Sequence, residues 1–418
     1  MRILIHGTNF YPEKIGIGKY TGEMAVWLSS RGHEVRVVAA PPYYPEWRVS
    51  DGCFRGWRRE EIRKETDKGR GGSLLVYRCP LWVPSKPSGL KRILHLVSFA
   101  LSSAPVMWWQ IIWRPTVVIV IEPPLFCAPQ AWLTARLARG RAWLHIQDFE
   151  VDAAFGLGML KAIWLKRWVS LVEGFLMRRF DRVSTISPAM MHGLIKKGVS
   201  RNDIFLLPNW VNTDEIFPLE RQSEYRDELG IDRDVCVALY SGNMGEKQGL
   251  EVLLEAACLA ASAKEIRIQF VLCGDGATKA RLQEAFGKLP NVLWLSLQPA
   301  NRLNELLNLA DVHMLPQRAD VADLVMPSKL TGMLASGRPI LATAHSGTQV
   351  AQIVEGRGMV VQPGNAKALW AALKKLADSP EDRVRFGDAA RTYAEEFLGL
   401  DVTMSLFEDE LSRLSARY

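Results

Sequence analysis

Twice in this chain of 418 residues an apolar run ends in a glycine loop and resumes as a helix, and that pattern restricts the fold to layered α/β architectures. "RILIHGT" leads into "NFYPEKIGIGKY", then helical spacing at Met24, Ala25 and Leu28, then Gly32 and a second run, "EVRVVAA". Apolar runs without alternation belong to strands buried on both faces, as in parallel sheets covered by helices. "LLVYRC", "VVIVIE", "AWLHIQ", "VSTIS" and "IFLLP" read as further strands of this first half.

The loop "PNWVNTDEIFP", residues 208–218, holds two Pro and two Asn and marks a break. Beyond it the pattern restarts with "VCVALYSGNMGEKQGLEVLLEAACLA". "IRIQFVLCGDG", "NVLWLSL", "DVHMLP", "RPILATA" and "GMVVQP" follow as strands. Two doubly wound α/β domains are expected, residues 1–210 and 211–380. Helices over 381–418 are expected to pack back toward the first domain. Ligands of such sheets sit beyond the strand C-termini, so a cleft between facing domains is the expected site.

Hydrophobic content of 48% and charged content of 23% fit a soluble globular chain. The six cysteines are scattered, with no Cys-x-x-Cys pair, which favours reduced thiols in a cytoplasmic protein over zinc or disulfides. The apolar run in "MRILIHGTNF" is too short for a signal peptide. The net charge of +7 conceals an asymmetry: residues 1–210 hold 30 Lys and Arg against 16 Asp and Glu, and residues 211–418 hold 22 against 29. A basic first half suits an anionic membrane surface or a phosphate-bearing substrate. No motif points to nucleic acid, and it is not expected as a partner.

Residues 93–113 carry no formal charge, enough length to cross a bilayer. His95, Ser98, Ser102, Ser103, Pro105 and Gln110 interrupt that stretch, and a span would split one strand–helix alternation across a membrane. The expectation is a buried helix, or one that dips a face into the lipid surface. Residues 151–201 hold nine Lys and Arg against three acids, with Trp164, Trp168 and Phe175 among them. There, "LKRWVSLVEGFLMRRF" could rest on anionic lipid or cover the sheet with a solvated basic edge.

In the second half, "SGNMGEKQG" offers Gly242 and Gly245 for close backbone approach and Lys247 for a phosphate. "CGDG", residues 273–276, closes another strand. In "MPSKLTGMLASGRPI", Ser328 reads as an N-cap, Lys329 adds charge at the helix start, and Gly337 and Pro339 stop the helix. Neither glycine loop is a Walker sequence. Asp232-Arg233-Asp234 reads as a polar loop rather than a metal site. His145 and His6 read as core histidines.

Together and in this order, "GIGKY", "PNWVNTDEIFP", "YSGNMGEKQGLEVLLEA", "FVLCGDG", "ADVHMLP" and "PSKLTGMLASGRPIL" resemble the retaining glycosyltransferases of family 4 with the GT-B fold of two Rossmann-like domains. "HIQDFEVDAAFGLGML" resembles the exopolysaccharide branch, of the colanic acid type. The resemblance implies transfer of a sugar, fucose being its suggestion, from a UDP- or GDP-linked donor to a polyprenyl-diphosphate-linked glycan at the inner face of the plasma membrane. It implies retention of configuration, no cofactor and no metal. It places the donor on Gly242, Asn243, Lys247, Gly274, Ser328 and Lys329, and the acceptor and phosphates against Gly16, Gly18 and Lys19. Asp148, ending its strand toward the cleft, and Asp323 are the implied catalytic carboxylates.

Two departures from the family pattern stand out. Asn243 replaces a frequent arginine, with Lys329 as the expected substitute. Gly332 replaces the second of two glutamates seven residues apart. A nucleotide-sugar hydrolase or epimerase of the same fold, or a non-catalytic component of the polysaccharide machinery, stays open on the sequence.

Overall fold

The computed structural model describes residues 1–13, 16–44, 46–49, 56–62, 72–85, 89–123, 125–149, 163–265, 267–319 and 327–416. They form two compact units, Met1–Pro208 with Met404–Tyr418, and Asn209–Thr403.

The first unit is built on eight strands: β1 Arg2–His6, β2 Glu34–Ala39, β3 Arg58–Ile62, β4 Leu74–Arg78, β5 Val117–Glu122, β6 Arg141–Ile146, β7 Arg182–Thr185 and β8 Ile204–Leu206. Their order is β3-β4-β2-β1-β5-β6-β7-β8, parallel throughout except for the edge strand β3. The central strand β1 sets Ile3 opposite both Val35 and Val117, and every residue of β5 is buried. The helices of this unit are α1 Gly16–Ser30, α2 Gly89–Trp113, α3 Ala128–Leu137, α4 Ile163–Met177 and α5 Pro188–Lys196. Strand order with right-handed crossovers puts α2 to α5 on one face of the sheet and α1 on the other.

Residues 93–113 lie in α2, which is packed but not enclosed. Its buried positions are His95, Phe99, Ser103, Met107 and Gln110. Of the residues expected to oppose a membrane span, His95, Ser103 and Gln110 therefore point inward. Ser98 and Ser102 are half-buried and Pro105 is exposed, while Leu94, Leu101 and Ile112 point outward.

The second unit has six parallel strands: β9 Cys236–Ser241, β10 Ile268–Cys273, β11 Val292–Leu295, β12 Val312–Leu315, β13 Ile340–Thr343 and β14 Gly358–Val361, in the order β11-β10-β9-β12-β13-β14. Both faces of β9 are buried: Ala238 and Tyr240 join one core with Phe270 and Leu272, while Val237 and Leu239 join another with Val271. Its helices include α6 Glu251–Ser262, α7 Lys279–Phe286, α8 Leu303–Asn308, α9 Lys329–Ala335, α10 Gln349–Val354, α11 Ala366–Asp378 and α12 Pro380–Tyr393. The chain ends in α13, Leu400–Ala416, whose residues from Met404 onward belong to the first unit. Strand order reverses beside β1 in one sheet and beside β9 in the other, and a doubly wound sheet offers its ligand crevice at such a point.

Candidate active site

In the second unit β9 and β10 end in register, with Ser241 opposite Cys273, so the two glycine loops leave the sheet side by side. The Gly242 N–H donates to the Cys273 carbonyl (3.0 Å) and the Met244 N–H to the Asp275 carbonyl (2.9 Å). Thr278 completes the weave, donating to the Met244 carbonyl from its hydroxyl at 2.8 Å. Such spacing demands glycine. A Cβ on Gly274, at φ +140°, would lie 2.0 Å from the Gly242 oxygen, and one on Gly276 would lie 2.3 Å from that of Met244. "CGDG" is thus half of a two-loop platform, a role its own four letters do not disclose.

Lys329 opens α9 and reaches that platform. Its Nζ donates to Tyr240 Oη at 2.9 Å and stands 4.1 Å from the centre of the Tyr240 ring. A Cβ on Gly242 would come within 3.1 Å of the same Nζ, a tight contact at a φ of +142° that glycine adopts freely. Tyr240 Oη in turn donates to the Asn243 carbonyl at 2.5 Å. Among the described residues no carboxylate pairs with Lys329, and burial pulls its ammonium pKa down to about 7. Burial also pushes the Tyr240 phenol well above its ordinary value.

The other residues expected at the donor take different places. Lys247 is exposed on a single 3₁₀ turn, Glu246–Gln248, and its carbonyl accepts from the Arg318 N–H at 3.4 Å. Asn243 is exposed beside Gly245. Ser328 is not the N-cap its position suggested. It has helical dihedrals and makes no capping bond with its side chain, while its carbonyl accepts from the Thr331 hydroxyl. Gly337, at φ +65°, does terminate the helix. A Cβ on Gly332 would approach only Leu307, at 3.3 Å, so space for a larger residue exists where the family carries its glutamate. Asp323 lies outside the described residues. Asp232 and Asp234 precede β9, at the end of the sheet opposite the platform.

Sequence reasoning missed two neighbours of this site. Tyr240 looked like one more apolar strand residue, although its ring and hydroxyl hold Lys329. Arg318 follows β12 and packs on Gly249, where a Cβ would lie 2.9 Å from its Cγ. A cation just past a strand end, next to the reversal of strand order, was the signal available for it.

In the first unit, Gly16 and Gly18 form the first turn of α1, with Gly16 at φ +60°, where a loop was expected. Gly18 leaves room for a carboxylate the sequence did not single out, since a Cβ there would lie 2.6 Å from Glu13 Oε2. Glu13 accepts from the Tyr43 and Tyr44 N–H groups at 3.0 Å each and from Asn9 Nδ2 at 2.9 Å. Burial raises its carboxyl pKa and those donors pull it back. Lys19 sits 3.9 Å from Glu23 and over the Tyr20 ring, so its charge is engaged within the helix. Asp148, half-buried, lies two residues past the end of β6 rather than in it. His145 is a satisfied core histidine: Nδ1 lies 2.8 Å from Ser184 Oγ, Nε2 lies 2.8 Å from Gln147 Nε2, and burial lowers its pKa to about 3.

Comparison with known proteins agrees with this architecture. Residues 16–210 match the family model described as a glycosyl transferase 4-like domain, and residues 221–393 match that of glycosyl transferases group 1. A protein of Escherichia coli (strain K12) named as the colanic acid biosynthesis glycosyl transferase WcaI is 39% identical over 98% of this chain and 100% of its own length. Two solved structures share the fold at low identity. Sucrose-phosphate synthase from Thermosynechococcus elongatus superposes with a TM-score of 0.75 at 15% identity, covering 100% of both chains. Anabaena Alr3699/HepE, crystallised with UDP, has a TM-score of 0.69 at 14% identity over 99% of this chain and 100% of its own. With the paired sheets, the glycine platform and a relative matched end to end, the chain belongs to the family 4 glycosyltransferases of GT-B fold.

Proposed function

We propose that this glycosyltransferase takes a sugar from a nucleoside-diphosphate sugar and adds it to a polyprenyl-diphosphate-linked glycan in the assembly of a colanic acid-like or lipopolysaccharide polymer. The carrying observation is Lys329, a buried amine on a glycine platform with no acid partner among the described residues. A departing diphosphate would bring the negative charge that the described residues do not supply to Lys329. Gly274 lets the two loops lie in contact, and because Gly242 carries no side chain, the diphosphate oxygens can approach the backbone beside Lys329 closely. Lys329 meets the charge as it develops, while Lys247 and Arg318 stand at the outer side of the same loop. In this reading Lys329 replaces the arginine for which the chain has Asn243.

Retention of configuration and independence of a divalent metal are part of the proposal, as are Asp148 and Asp323 at the reacting centre. The UDP complex of the Anabaena protein and the name of the Escherichia coli relative support a nucleotide donor and a polysaccharide context. Fucose from GDP is the first donor to try. Binding of a panel of UDP- and GDP-sugars, followed by transfer onto lipid-linked acceptors, tests the assignment. One sugar should transfer, with the anomeric signal of the donor kept in the product and with turnover surviving EDTA. Donor consumption without acceptor would indicate a hydrolase, and absence of nucleotide binding would overturn the reading.

A further inference from the structure

In the first unit, α2 and α4 are inverted: their buried faces carry polar groups and their outer faces are apolar. On α2, Leu90, Leu94, Leu101, Trp108 and Ile112 fall within one narrow stripe, each at least half exposed, and Ile112 reaches 78%. The stripe runs roughly 33 Å along the helix. Behind it, His95 Nδ1 donates to the Trp82 carbonyl (2.7 Å), Ser103 lies 3.1 Å from His6 Nε2, and Gln110 accepts from Arg36 (2.8 Å). On α4, among the side chains described from Trp168 onward, the exposed ones are Trp168, Leu171, Val172 and Phe175, whereas Glu173 is fully buried against Lys197. A helix facing water would reverse both arrangements.

Charge on this layer is equally one-sided. The sequences of α2, α3, α4 and α5 contain one acid, the buried Glu173. Exposed Lys91 and Arg92 lie at one end of α2, and exposed Arg114 and Arg139 lie beyond its other end and that of α3. Arg178 and Arg179 follow α4 and are also exposed. Apolar stripes bounded by cations match an anionic bilayer, whose headgroups take the cations while its acyl region takes the stripes. A second copy of this chain fits less well, because a two-fold contact would set the basic ends of α2 against each other.

We propose that the outer faces of α2 and α4 seat this unit in the plane of an anionic membrane, with their leucine, isoleucine and tryptophan side chains inserted among the lipids. The α2 helix does not cross, because the bonds of His95, Ser103 and Gln110 to Trp82, His6 and Arg36 hold its inner face on the sheet. The proposal deepens the lipid-linked reading of the acceptor but stands on this face alone, and nucleotide binding separates the two.

The test is flotation of the full chain with vesicles of phosphatidylcholine alone or with 30% phosphatidylglycerol. The chain should bind the anionic vesicles, and a measurable fraction should stay bound in 0.5 M NaCl, because acyl insertion is not screened. Leu101→Glu with Ile112→Glu should reduce binding at least tenfold while nucleotide affinity and circular dichroism stay unchanged. Leu101→Ser with Ile112→Ser gives a milder version should the charges perturb folding. Leu297→Glu, an exposed leucine of the second unit, should have no effect. Complete release by salt, or undiminished flotation of both double variants, would overturn the insertion. A dimer that the double variants split, without vesicle binding by the parent, would assign the face to a second copy instead.

Discussion

At the scale of the residue, Lys329 carries the most testable chemistry. Its amine has given up water for a tyrosine ring and hydroxyl, and burial lowers its pKa to about 7. An anion in the site favours the charged form and raises that pKa, so donor binding above pH 7 must take up a proton. The sign follows. Below pH 7 the amine is already charged and affinity is flat. Above it, affinity should fall about tenfold per pH unit until the pKa of the complex is reached. A nucleotide sugar is the right probe, since its diphosphate has no terminal phosphate to titrate in this range. Lys329→Arg should flatten the profile, because guanidinium stays charged. Lys329→Ala at pH 6 should weaken binding roughly 10- to 100-fold, as expected for one charge-assisted contact of about 1.5–3 kcal/mol. Calorimetry in buffers of different ionisation enthalpy counts the protons, and a wild-type profile flat from pH 6 to 9 would refute the assignment.

At the scale of the element, the two glycine loops function as one object. Gly274→Ala forces a Cβ to within 2.0 Å of the Gly242 carbonyl at a φ of +140°, so the loops must part. Backbone strain alone costs on the order of 1–3 kcal/mol. Nucleotide binding should be lost while the first unit keeps its structure. Gly364→Ala also has positive φ but nothing within 4 Å, and it should leave binding intact. This pairing marks the limit of what the sequence disclosed. All six strands of the second unit were legible, since parallel strands buried on both faces read as plain apolar runs. The adjacency of "SGNMGEKQG" and "CGDG" was not, because strand order is a property of the sheet. The strand β3 escaped because "RREEI" is a charged antiparallel edge with no apolar run. Ser328 failed as a cap because a capping residue takes extended dihedrals, whereas this one is helical and its side chain makes no capping bond. For α2, composition showed a helix able to meet lipid, but only packing could show that His95, Ser103 and Gln110 face inward.

At the scale of the molecule, the last helix closes a core laid down by the first two hundred residues. Phe407 is fully buried, with its ring 4.9 Å from that of Trp143 on β6. Around it, Glu408 accepts from His33 at 2.8 Å and from Arg31 at 3.2 Å, and Glu410 pairs with Arg182. The first unit is therefore discontinuous in sequence, and its stability depends on residues some two hundred positions beyond its main body. Phe407→Ala removes a large side chain from this core, and such truncations cost about 3–5 kcal/mol. The loss should fall on the first unit alone. Calorimetry can tell the units apart, because a nucleotide that binds only the second raises only that unit's transition, by about 2.7 kcal/mol at a hundredfold excess over Kd. In Phe407→Ala the transition insensitive to nucleotide should drop and the sensitive one should hold its temperature. If the sensitive transition drops with it, the two units unfold as one, and the terminal helix stabilises the whole chain rather than the unit it packs on.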